Sequence, residues 1–94
     1  MKSIKEIPRK HVIVCVNERE DDDCCVDVGG LDLFAYLKEF VRINSLTGSV
    51  WITRSKCLGF CNNIGPTIVI YPEGKWFTEI RREDYNEIIN LIKY

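Results

Sequence analysis

The chain has 94 residues, 46% of them hydrophobic, and its 13 Lys and Arg against 14 Asp and Glu give a formal net charge of −1. That length suits one small domain with a single core, and the hydrophobic share is that of a folded globular protein. Near-neutral charge offers no general electrostatic footprint for nucleic acid or an anionic membrane, and no apolar run approaches a membrane span, so neither is expected as a partner.

Lys2, Lys5, Glu6, Arg9 and Lys10 charge the N-terminal stretch, which lacks the apolar centre of an export signal. The expectation is a cytoplasmic protein in which residues 1–10 extend a single domain spanning 1–94. His11-Val12-Ile13-Val14-Cys15-Val16 is a continuous apolar run rich in β-branched residues, as in a strand buried on both faces. A polar loop follows, carrying Cys24, Cys25 and an acidic run from Glu18 to Asp23 broken by Arg19. After Gly29-Gly30, Leu33, Phe34, Leu37, Phe40 and Val41 recur at helical spacing opposite Lys38, Glu39 and Arg42, which predicts an amphipathic helix.

Turn signals at Asn44-Ser45 and Thr47-Gly48 precede a second strand, Ser49 to Thr53, and the Cys57-Leu58-Gly59-Phe60-Cys61 cluster comes directly after it. Beyond Gly65-Pro66, the run Thr67 to Tyr71, the turn Pro72 to Lys75 and Trp76-Phe77-Thr78 predict a β-hairpin. Tyr85, Ile88, Ile89 and Ile92 fall on one stripe of a closing helix. The order predicts an α/β fold with a mixed four-stranded sheet, a right-handed βαβ unit followed by a hairpin and a C-terminal helix, which is the core order of a thioredoxin-like fold. Trp51 is assigned to the core, while Trp76 is open to either core or surface.

Five cysteines cannot all pair within one chain, and closely spaced thiols in a reducing compartment are more often ligands or redox groups than cross-links. The two strands of a βαβ unit are parallel, so the loops that follow them leave the same sheet edge, where α/β folds form ligand sites. Cys15, Cys25, Cys57 and Cys61 should therefore meet. Four thiolates suit tetrahedral zinc or an iron–sulfur cluster, and spacing alone does not separate these. A Rieske centre is excluded because it needs two histidines and the chain has His11 alone, which reads as structural.

These residues resemble the thioredoxin-like 2Fe–2S ferredoxin family, itself similar to the cluster-bearing domain of a small peripheral subunit of respiratory NADH dehydrogenase. The likeness runs from about His11 to Ile92 and rests on Val14-Cys15-Val16-Asn17, on Cys25 with Gly29 four residues on, on Cys57-Leu58-Gly59-Phe60-Cys61 and on Gly65-Pro66 with its hairpin. The resemblance implies a one-electron carrier, not an enzyme. It implies a 2Fe–2S cluster on Cys15, Cys25, Cys57 and Cys61, redox proteins as partners, a homodimer, and Cys24 as a spare thiol. Here the loop from Cys15 to Cys25 is shorter and more acidic than the family's. Two alternatives stand beside it: a structural zinc domain for protein interaction, and a thiol–disulfide oxidoreductase, which the Cys-x-x-x-Cys spacing disfavours because that chemistry uses Cys-x-x-Cys. Gly59 and Gly65 are read either as backbone donors to cluster sulfurs or as simple turn formers.

Overall fold

The computed structural model describes residues 1–16, 29–56 and 65–93. It contains strand β1 (Lys10–Cys15), helix α1 (Gly30–Ile43), strands β2 (Val50–Ser55), β3 (Ile68–Tyr71) and β4 (Lys75–Phe77), a 3-10 turn at Arg82–Asp84 and helix α2 (Tyr85–Lys93). The strands form one sheet in the order β2-β1-β3-β4, with β1 parallel to β2 and antiparallel to β3, and β3 antiparallel to β4. This is the predicted βαβ unit joined to a hairpin.

Helix α1 enters through Gly29, whose φ of 104° lies in the left-handed region that favours glycine, and Asp32 places a negative charge in the positive first turn. Its exit is a Schellman arrangement: Ser45 takes a φ of 56°, its N–H donates to the Arg42 carbonyl, and the Leu46 N–H donates to the Val41 carbonyl at 2.9 Å. Leu33, Leu37 and Val41, one turn apart, are each at most 3% exposed. On α2 the stripe Tyr85, Ile88, Ile89 and Ile92 is buried in the same way.

Both stripes pack on one side of the sheet, against Val12, Val14, Val50, Ile52, Ile68 and Ile70. Fully burying such an aliphatic side chain contributes about 1.5–3 kcal/mol, so this single layer supplies most of the cohesion. Alternation along each strand sends His11, Ile13, Trp51, Thr53, Tyr71 and Trp76 to the opposite side, which neither helix covers. Two expectations change as a result. On the side away from the helices β1 is only partly buried, since His11 and Ile13 remain half-buried and Cys15 alone is fully covered there. Trp51 is not in the core but 47% exposed, because Val50 and Ile52 take the inward positions on either side of it. Trp76 is exposed to the same degree.

His11 is satisfied structurally, with Nε2 at 2.7 Å from Thr53 Oγ1 and its ring edge-on to Trp51. Among the described residues the cis peptide bond is Tyr71–Pro72, in the turn between β3 and β4, and not the bond before Pro66.

Candidate metal centre

Cys15 is the last residue of β1 and is 1% exposed. Its N–H donates to the Thr67 carbonyl at 3.0 Å, and its register partner on the other side is Ser55 of β2. Val16 continues the pairing by donating to the Ser55 carbonyl at 3.0 Å. The thiol is free and buried, and it lies on the sheet side away from the helices.

The segment that carries Cys57 and Cys61 is held at both stems around this residue. Its described stems are Ser55-Lys56 on the β2 side of β1 and Gly65-Pro66-Thr67 on the β3 side, flanking the end of β1 where Cys15 sits. The segment that carries Cys24 and Cys25 starts from the same strand end. Cys24, Cys25, Cys57, Cys61, Gly59 and the acidic run lie outside the described residues. Among the described residues no group of three or more His, Cys, Asp or Glu side chains comes together.

The donor chemistry fits a thiolate-only centre. His11 is four residues from Cys15, about 13 Å along the strand, and its Nε2 is engaged by Thr53. His11 is thus no candidate ligand among the described residues, and all-cysteine ligation is that expected for zinc or iron–sulfur. Thr67 packs at the returning stem, nearly fully buried, with its hydroxyl 2.9 Å from that of Thr78.

Gly65 has a specific role in that stem. A Cβ there would stand 2.0 Å from the Ile80 carbonyl oxygen and 2.6 Å from the Ile80 nitrogen. The Ile80 N–H donates back to the Pro66 carbonyl at 3.3 Å. This close main-chain approach accounts for the glycine whatever else its N–H does.

A cavity of about 720 Å³ lies elsewhere, between α1 and the outer edge of β2, with Lys38, Arg42, Trp51 and Thr53 on its walls. Arg42 is not a free cation there: it is paired with Glu39 through two hydrogen bonds, one of 2.9 Å, which hold the Glu39 carboxyl below its usual range. Burial pushes the Tyr85 phenol up, the ring packing against Tyr36 and the Arg82 guanidinium.

A βαβ unit followed by a hairpin, with helices on one side of the sheet, defines a thioredoxin-like fold, here with a buried cysteine at the loop edge. The chain is 32% identical over 84 residues to a 2Fe–2S ferredoxin of Aquifex aeolicus strain VF5, a match that covers 85% of this chain and 75% of that protein. It is 27% identical over 85 residues to a 2Fe–2S ferredoxin of Clostridium pasteurianum, covering 87% and 82%. The crystal structure of the wild-type thioredoxin-like [2Fe–2S] ferredoxin from Aquifex aeolicus superposes with a TM-score of 0.76 at 31% identity, over 89% of this chain and 84% of that one. No family model matches the chain. The chain belongs to the thioredoxin-like 2Fe–2S ferredoxin family.

Proposed function

We propose that the chain is a one-electron carrier that holds a 2Fe–2S cluster through Cys15, Cys25, Cys57 and Cys61. The observation that carries this reading is the likeness to 2Fe–2S ferredoxins over most of both chains, with a buried free thiol at the loop edge of the matching fold. When bound, the cluster takes up and releases a single electron. The protein's part is to supply thiolate ligands, shield them at the end of β1 and keep the two loops in register around it. No catalytic residues are assigned, and the zinc-domain and oxidoreductase alternatives find no counterpart among the relatives.

Residues 1–94 are read as one domain with 1–10 as an extension. No helix among the described residues is long and apolar enough to cross a membrane. A cytoplasmic setting is supported by the chemistry, since reducing conditions keep ligand thiols free. Its partners are other redox proteins.

The homodimer is supported by the sheet side that the helices leave open. His11, Ile13, Trp51, Thr53, Tyr71 and Trp76 face outward there without one formal charge among them. A two-fold interface brings a surface against itself, so a charged patch would repel its own copy, whereas this aromatic one meets no such penalty. Sedimentation at micromolar concentration should give a dimer for the native chain and a monomer for Trp51→Arg. A monomeric native protein would remove the dimer from this reading.

The function is tested on the purified protein. Red-brown colour, iron and sulfide in equal amounts, and a spin-half paramagnetic signal after dithionite reduction are expected, with a potential on the order of hundreds of millivolts negative. A colourless protein with stoichiometric zinc would replace the electron carrier with the interaction domain.

A further inference from the structure

Two cations flank one aromatic ring at the loop edge of the fold. The Lys38 ammonium stands 5.8 Å from the centre of the Phe34 ring and the Arg54 guanidinium 6.0 Å from it. Phe34 and Lys38 are one helical turn apart on α1, and Arg54 comes from the end of β2, on its helix-facing side. Lys56 follows two residues later and is itself exposed, and the next residue in the chain is Cys57. The ion pairs among the described residues are Lys10 with Glu73 and Arg42 with Glu39, and neither involves Lys38, Arg54 or Lys56.

We propose that Lys38 and Arg54, arranged about Phe34, together with Lys56 two residues beyond Arg54, form the docking patch for carboxylates on an acidic redox-partner protein. The proposal rests on the electron-carrier reading, because only then does a patch at this edge bring a partner close to the redox centre. Its placement follows from topology: α1 runs back from the loop edge, β2 runs towards it, and their nearest ends put all three cations beside the stem of the Cys57 loop. A guanidinium pairs with a carboxylate through two parallel N–H bonds, and ammonium groups add charge without fixing geometry. Three cations on a chain of net charge −1 are too few to hold a polyanion such as nucleic acid, but they suit a complementary patch on a protein. The ring gives the cations a fixed seat, since each is attracted to its face. The groove along β2, which shares Lys38, extends the surface outward.

The patch is read with two outer-sphere oxidants of similar size and opposite charge, tris(oxalato)cobaltate(III), which presents carboxylate oxygens, and hexaamminecobalt(III). In each reaction one electron leaves the reduced cluster and converts Co(III) to Co(II). The quantity measured by stopped flow is the ratio of the anion's rate to the cation's rate. Lys38→Gln with Arg54→Gln should lower that ratio on the order of tenfold at about 0.01 M ionic strength and hardly at all at about 1 M, where the screening length falls from about 30 Å to about 3 Å. Lys2→Gln with Lys5→Gln removes the same charge from the chain ahead of β1, at the far edge, and should leave the ratio close to native. An unchanged ratio in the first variant, or an equal fall in both, overturns the patch. Absorption spectra before mixing must show a loaded cluster in every variant. A native chain that loads none overturns the electron-carrier reading and the patch with it.

Discussion

Cys15→Ala, Cys57→Ala and Cys61→Ala should each abolish stable cluster loading, read as loss of visible absorption and of bound iron and sulfide. Alanine is the informative replacement because it offers no donor atom, whereas serine substitutes an oxygen that a metal can still use. Cys15 is the sharpest case: its main chain is fixed on both sides by Ser55 and Thr67, so no neighbouring sulfur can slide into its place. At the adjacent pair, neighbouring side chains in extended chain point to opposite sides. Cys24→Ala should therefore keep the native spectrum while Cys25→Ala loses or perturbs it. The reverse outcome would move the ligand to Cys24, and full loading of Cys15→Ala would remove this residue from the set.

Gly65→Ala should destabilise the fold by about 1–3 kcal/mol or more, the range for forcing atoms into filled space. The obstacle is main chain, the carbonyl and nitrogen of Ile80, so no side-chain rotation can relieve it. Gly48→Ala is the comparison, since a Cβ there meets nothing within 4 Å, and a change within about 0.5 kcal/mol is expected. Urea denaturation of both variants checks the pair. Equal midpoints would mean that the Gly65 stem is not the constraint described above.

Much of the fold was legible because its signals are local and periodic. The α1 stripe of Leu33, Leu37 and Val41, the α2 stripe from Tyr85 to Ile92 and the hairpin turn at Pro72 each announce themselves within a few residues. Trp51 was misread for a physical reason. A strand between two helices and a strand covered on one side only can carry the same apolar run, and only the packing of α1 on β2, a tertiary contact, decides which of its sides is left open. Gly65 was legible as a turn former, but its clash with Ile80 joins residues whose proximity no local pattern reveals. At the site, the position of Cys15 at the strand end was readable from where the apolar run stops. The cation pair about Phe34 was half visible, as the Phe34 and Lys38 spacing, while Arg54 joins it only through tertiary packing.

The Arg9 guanidinium donates to the Ile92 carbonyl at 2.9 Å, tying the entry into β1 to the last turn of α2. The start of β1 and the end of α2 thus share one pole of the fold, and Cys15, at the end of β1, lies at the other. A tag or a tether to an electrode joined just ahead of β1 or just after α2 starts from the pole away from Cys15. A molecule immobilised there would stand with the Cys15 end of the sheet outward, a ready orientation for wiring the proposed electron carrier to a conducting surface.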